Sequence, residues 1–127
     1  AEVLHKDEAV YLQNFYAGGG MYSTVKDLGK FSDALFLNKS LLNESSMQSL
    51  LQNYPGGNDY GYGLWVRFAE RGKEIIHVAH RPGRNMGINT MFNYVFDHDI
   101  SIIMLSTSDR ISIDGFVGFI QKQIFGE

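Results

Sequence analysis

An α+β domain is what this sequence predicts: helices ahead of an antiparallel sheet, and one more helix closing the chain. Three observations carry the prediction. Apolar residues recur at helical spacing between Thr24 and Leu35, the period changes to two from Tyr60 onward, and one apolar stripe returns over residues 112–125. The expected arrangement is two helices, an antiparallel meander of about four strands and a C-terminal helix laid on the sheet. A single domain over 1–127 holds all of it, with 1–57 as the helical part and 58–127 as sheet plus last helix.

Residues 1–16 are poorly periodic, end in Asn14-Phe15-Tyr16, and read as an irregular segment. Ala17-Gly18-Gly19-Gly20 is flexible backbone suited to close packing or an anion, but no Gly-Lys-Ser/Thr follows to make a phosphate loop. The first helix starts at Thr24 and Asp27, which have capping-box-like spacing. Val25, Leu28, Phe31 and Leu35 share one of its faces, and Asn38-Lys39-Ser40 breaks it. A second helix runs from about Glu44 to Gln52 with Met47, Leu50 and Leu51 inward, and Tyr54-Pro55-Gly56-Gly57-Asn58-Asp59 is a turn-rich link. Asn38-Lys39-Ser40 and Asn43-Glu44-Ser45 also match glycosylation sequons, a pattern short enough to arise by chance.

Alternation marks the strands. Leu64, Val66 and Phe68 alternate with Trp65 and Arg67, and Glu70-Arg71-Gly72-Lys73 is a hairpin turn leading into a strand from Ile75 to His80. Residues 87–96 form a third strand, with Ile88, Phe92, Tyr94 and Phe96 on one side and Asn89, Met91, Asn93 and Val95 on the other. Asp97-His98-Asp99 turns the chain. Ile100 to Leu105 is apolar on both faces, the pattern of a central strand covered from both sides. In the last helix Ile113, Phe116, Val117, Ile120 and Ile124 make the stripe expected to face the sheet.

Bulk properties narrow the functional classes. A 44% hydrophobic, 20% charged chain with net charge −3 has the balance of an ordinary globular domain and no basic surplus for nucleic acid or an acidic membrane. It contains no Cys, which removes disulfides, thiolate nucleophiles and zinc–thiolate sites while leaving the compartment open. No apolar run approaches the ~20 residues of a membrane span, and no signal-peptide pattern is present. The chain opens at Ala1 rather than Met, the start expected of a processed product or an excised piece.

The chemically dense stretch is Val78-Ala79-His80-Arg81-Pro82-Gly83-Arg84-Asn85-Met86-Gly87-Ile88-Asn89-Thr90. It sets a histidine, two arginines and two glycines between apolar segments. Backbone N–H groups beside positive charge suit a ligand that carries or develops negative charge; a glycine-punctuated hairpin with solvated arginines is the plainer alternative. His77 and His80 have H-x-x-H spacing, yet strand residues three apart point to opposite faces, which argues against a shared metal. Asp97 and Asp99 fit turn chemistry. Ser23-Thr24-Val25-Lys26 spells the S-x-x-K nucleophile pattern, but helix capping accounts for both hydroxyls and for Asp27 as well.

The order of these motifs resembles the serine β-lactamase-like superfamily, which includes class C β-lactamases, low-molecular-weight penicillin-binding proteins and related esterases. Ala17 to Phe31 is similar to its GG-x-x-ST-x-x-DL-x-x-F segment, and Tyr60-Gly61-Tyr62-Gly63-Leu64-Trp65 to its YGYG-hydrophobic-W strand. Arg81-Pro82-Gly83 with Gly87 resembles its [Lys/His/Arg]-x-Gly motif and later glycine, and Ile100 to Thr107 its apolar strand. The likeness runs over nearly all of the chain from residue 17.

The resemblance implies a partial β-lactamase/transpeptidase-like fold: the C-terminal third of a bacterial serine hydrolase acting by acyl transfer on a β-lactam, a D-Ala-D-Ala peptide or a small ester. The family's nucleophilic Ser and Lys belong to an upstream helix that these residues lack, and no Tyr-x-Asn is found. By resemblance, Arg81 attracts a substrate carboxylate, Gly83 keeps the strand open, and the Arg84 N–H is an oxyanion donor; His80, Arg81, Asn85, Asn89 and Thr90 line the substrate. Pro82 stands where the family often has Thr or Ser, and a register one residue earlier would make His80 the motif's cation. No cofactor or metal is implied. An extracytoplasmic setting is, while composition alone leaves the cytoplasm open. The expected partners are a small-molecule or peptidoglycan-like substrate and, at an exposed sheet edge, the missing N-terminal portion or another copy of the chain. A non-catalytic module binding cell-wall or peptide ligands on the same fold is the alternative, and a stand-alone α+β interaction domain with only an accidental likeness is a third.

Overall fold

The computed structural model describes residues 16–56, 58–85, 87–108 and 110–126. The irregular segment expected before residue 16, together with Gly57 and Met86, lies outside the described residues.

Local chemistry accounts for the helices. Ala17–Gly20, expected to be open backbone, instead begins in a single turn α1 (Tyr16–Gly19) that ends where Gly19 takes φ 136°. Helix α2 (Val25–Ser32) is capped by Thr24, whose Oγ1 accepts the Asp27 N–H at 3.1 Å. It continues into one π-type turn, Asp33–Leu37, closed by the Asn38 N–H donating to the Asp33 carbonyl at 2.7 Å. Helix α3 (Glu44–Leu51) is capped by Asn43 through the Ser46 N–H at 2.8 Å.

Four strands form an antiparallel meander in the order β1 (Trp65–Arg71), β2 (Glu74–Asn85), β3 (Ile88–Val95), β4 (Ile100–Ser106). Gly72-Lys73 joins β1 to β2, and Gly72 has the positive φ (57°) that such a tight hairpin needs. Strand β2 is longer than the alternation suggested, because Arg81–Asn85 stays paired with Phe92–Ile88. Helix α4 (Ile113–Phe125) follows, its first turn capped by Ser112. Among the described residues no helix is long and apolar enough to cross a membrane.

Both faces of the sheet are covered. On one, Val66, Ala79 and Tyr94 meet Leu35 and Phe36 of the α2 extension, with Met47, Leu50 and Leu51 of α3 packed around them. On the other, Met91 and Ile102 meet Ile113 and Val117 of α4, and Ile76, Val78 and Val95 continue the layer toward Phe125.

Three expectations are corrected by this packing. Strand β4 is an edge strand among the described residues, not a central one, although α2 lies over it on one side and the α4 cluster includes Ile102 on the other. Its apolar pattern reports cover on its faces and says nothing of its neighbours. In α2 the inward line is Ser32, Leu35 and Phe36, while Val25 and Phe31 stay about half exposed (52% and 48%). The π turn and a 2.7 Å hydrogen bond between the Ser32 and Ser101 hydroxyls set that line. In α4 the polar Gln121 is buried and Phe116 and Ile124 are not, because Gln121 bonds to strand residues below it.

Phe36 holds the helical layer to the sheet. Its ring stacks on Tyr94 at 4.7 Å and meets the edge of Phe96 at 5.4 Å. Phe36→Ala is expected to cost about 3–5 kcal/mol in denaturant unfolding, the usual range for deleting a buried aromatic ring; a loss under about 1 kcal/mol would show that the helical layer is not fastened there.

Candidate functional site

The basic stretch lies on β2 and β3, where strand alternation sorts it into two compartments. Register pairs Arg81 with Phe92 and Gly83 with Thr90, on the α2/α3 side of the sheet. His80 pairs with Asn93 and Arg84 with Asn89, on the α4 side. The residues predicted to line one substrate are therefore not all brought together.

Arg81 is exposed and held in place. Its Nη1 donates to the Tyr60 hydroxyl at 2.9 Å, and its guanidinium lies 5.1 Å from the Trp65 ring centre and 5.8 Å from that of Tyr60. Tyr60 and Trp65 meet edge to face at 4.6 Å and form an isolated bridge. That geometry depends on the glycines between them. Gly63 has φ 81°, and a Cβ on Gly61 would come within 2.7 Å of the Leu50 carbonyl. The Tyr60–Trp65 segment and the basic rim, read as separate motifs in sequence, form one surface.

Beyond His80, strand β2 loses its outer neighbour. Pairing with β1 ends at Trp65↔His80, so among the described residues Arg81–Arg84 pairs with β3 alone. A strand edge of this kind presents backbone donors and acceptors to an extended ligand. Gly83 serves the chain itself as well: a Cβ there would overlap Oγ1 of Thr90, whose hydroxyl donates to the Gly83 carbonyl at 3.3 Å. Gly87 closes the β2–β3 turn at φ 72°, and Asn85 pairs with Ile88. Asn89 is buried, and its Nδ2 donates to the Ile111 carbonyl at 2.8 Å, so it anchors the loop before α4.

His80 lies half buried with its ring stacked 5.9 Å from Trp65. Burial pushes its pKa below the ordinary value of 6.5, the nearby Arg67 adds to that, and Asp114 opposes it. His77 faces the other compartment, stacked on Phe68 at 4.7 Å and against Phe96 at the same distance. The two histidines thus stand on opposite faces, as their spacing implies. Asp97 accepts the His77 N–H and Asp99 accepts the Tyr94 hydroxyl at 2.8 Å, so both aspartates tie the β3–β4 turn to the strands. Ser23 Oγ turns to the Thr24 carbonyl at 3.4 Å, and Thr24 provides the helix cap. The Ser23/Lys26 spacing reads as a helix start.

A hollow of about 480 Å³ runs along β1 between Leu51, Asn53, Asp59, Val66, Arg67, Phe68 and His77. It contains none of the rim residues. The sequence reading missed the Tyr60–Arg81 contact, the Thr90–Gly83 fit and the buried pair Asn93 and Gln121; the visible signal was Asn93, a polar residue on the same strand side as Met91 and Val95. Comparison with protein families, with curated proteins and with solved structures returns no match.

Two measurements probe this geometry. Gly83→Ala should destabilise the chain by about 1–3 kcal/mol through overpacking, and Thr90→Ala in the same chain should recover most of it; independent, additive losses would contradict the fit. For His80, the folded state resists protonation that the unfolded state accepts. Its contribution is therefore complete above about pH 6.5 and is lost as pH falls below that, toward the lowered folded pKa. His80→Gln should flatten the decline in unfolding free energy between about pH 7.5 and about pH 5 relative to the parent; parallel curves would contradict the assignment.

Proposed function

We propose that this chain is the C-terminal part of a β-lactamase-like serine hydrolase, forming one wall of an acyl-transfer site whose serine and lysine come from outside these residues. The observation that carries the reading is the β2 edge beyond His80, where Arg81, fixed by Tyr60, stands beside unpaired backbone. An acyl-transfer site needs a cation to receive a substrate carboxylate and a main-chain donor for the oxyanion; loss of such a donor costs about 3–4 kcal/mol of barrier. Arg81 and the Arg84 N–H take those roles here, and Thr90 lies across the strand from Gly83. Arg81 lies past the end of the pairing with β1 and is held by Tyr60, whereas His80 is paired with Trp65, which favours Arg81-Pro82-Gly83 over the His80 register. The substrate class is a β-lactam, a D-Ala-D-Ala peptide or a small ester, and the setting is extracytoplasmic.

The opposite side of the sheet supports a larger parent. Strand β4 carries no charge, and among the described residues nothing pairs with its outer edge. Val25 and Phe31 lie half exposed on the helix above it. The missing N-terminal portion would continue the sheet at this edge.

A binding module without catalysis is the second reading, favoured by the same open edge, which can add an extended peptide as a strand with no nucleophile present. Arg81 and Arg84 belong to opposite faces, so Arg81 alone supplies the side-chain charge in that case.

The isolated chain should give no stoichiometric labelling by a fluorescent penicillin or a fluorophosphonate; labelling at Ser23 would overturn the enzyme reading. Supplying the N-terminal portion should restore labelling, and Arg81→Ala should then slow acylation by carboxylate-bearing substrates roughly tenfold while sparing uncharged esters. Ligand binding without acylation in the completed protein would select the module.

A further inference from the structure

Beneath α4, on the face of the sheet away from Arg81, lies a second hollow of about 80 Å³. Its polar lining is Arg67, Arg71, His80, Asn93, Asp114 and Gln121, over an apolar floor that includes Val78 and Met91. Hydrogen bonding gives it a direction. An arginine can only donate, so the bond from Arg71 Nε to Gln121 Oε1 at 2.8 Å obliges the Gln121 amide to present its nitrogen to the next group. Gln121 Nε2 accordingly donates to Asn93 Oδ1 at 3.2 Å. Asn93 is 3% exposed and its Oδ1 takes that bond; no partner for Nδ2 is found among the described residues, where no fully buried side-chain nitrogen or oxygen lacks one, so Nδ2 borders the hollow.

The charges agree with that direction. Arg67 makes no ion pair among the described residues, and Asp114 is not within salt-bridge distance of either arginine. Arg71 also donates Nη1 to the Glu70 carbonyl at 2.7 Å, which leaves Nη2 and the Arg67 guanidinium as the cationic donors bordering the hollow, against the one carboxylate of Asp114. Such a lining suits one negative charge, and the carboxylate of Asp114 works against a second. The volume matches a carboxylate with a short apolar stem, or two to three waters at ~30 Å³ each.

We propose that this hollow binds a small monocarboxylate, held by Asn93 Nδ2 and the guanidinium groups of Arg67 and Arg71. The ligand chemistry is shared by a free short-chain acid and by the terminal carboxylate of a peptide. The hollow adjoins the rim at Arg81 without sharing a lining residue with it: His80 of the hollow stacks on Trp65, and the Arg81 guanidinium lies over the same ring.

The test is a titration of the whole chain, ¹⁵N-labelled, with sodium acetate and separately with N-acetylglycylglycine, at ionic strength held constant with sodium chloride. Saturable shifts of the Asn93 side-chain NH₂ and the Gly118 amide at millimolar concentration are expected. Saturation by acetate assigns a free acid, and tighter saturation by the peptide assigns a chain terminus. Arg67→Gln, an exposed position that leaves the fold intact, should weaken binding about tenfold, and sulfate should not compete at equal concentration. Non-saturating shifts up to about 100 mM, equal shifts with chloride alone, or unchanged affinity in Arg67→Gln would each overturn the proposal.

Discussion

Strands β2 and β3 are covered on both faces, and that single constraint governs the molecule. Side chains of a strand alternate, so every residue in these two strands is committed to the helical compartment or to the α4 compartment. Tyr94, Val95 and Ile76, each exposed by 1% or less, fix the assignment for the whole ladder. A slip of one residue would drive Asn93 and His80 into the aromatic layer around Phe36 and expel Tyr94 and Ala79. The same alternation sends Arg81 and His80, neighbours in sequence, to opposite sides of β2, with the Trp65 ring in reach of both.

The two sheet edges differ in a way that bears on what the chain does. At β1 the edge is guarded: the Val66 N–H donates to the Asp59 carbonyl at 2.7 Å, and the Val66 carbonyl accepts from Asn53 Nδ2 at 2.9 Å. Arg67, Glu70 and Arg71 add the charges that discourage edge pairing. Strand β4 has no charge and no proline over Ile100–Ser106. Natural edges left so bare are normally covered. Between these extremes lies the short stretch of β2 past His80, paired with β3 alone among the described residues. The protected edge, the bare edge and the partial edge are three different answers to one problem of unpaired backbone.

What was legible in the sequence was local. Thr24 as a cap, the second helix starting at Glu44, Gly72 in the first hairpin and the period of two in β3 depend on residues a few positions apart, and the structure agrees with each. The α+β architecture followed from them. What was not legible depended on partners far along the chain. Arg81 is fixed by Tyr60 through a contact 21 residues long in sequence, and the inward line of α2 is set by Ser101, 69 residues away. Edge or centre cannot be read from an apolar strand, since cover on its faces and pairing at its sides are separate matters. The candidate residues were chosen by type, and alternation then divided them between the two faces.

Helix α4 shows why hydrophobic periodicity alone misplaces a face. By apolar count, Phe116 and Ile124 belong inside and Gln121 outside. The helix is rotated the other way because Asn93 points into the same layer and must be satisfied: a buried amide without a partner costs about 1–3 kcal/mol, comparable to burying one more aliphatic side chain. Gln121 meets that need, and Arg71 then fixes which end of each amide donates. The outcome leaves Phe116 and Phe119 exposed by 53% and 60% on the flank of α4. Gln121, on the other side of the helix, reaches Arg71 of β1, so this flank is turned away from β1, and Ile120 beside it packs against the cluster of Met91, Ile102, Ile113 and Val117. A polar requirement on one side of the helix has thus produced an apolar overhang on the other. Among the described residues the overhang from α4, Val25 and Phe31 from α2, and the uncharged outer edge of β4 all lie open, a pattern in which apolar side chains and unpaired backbone ask for cover together.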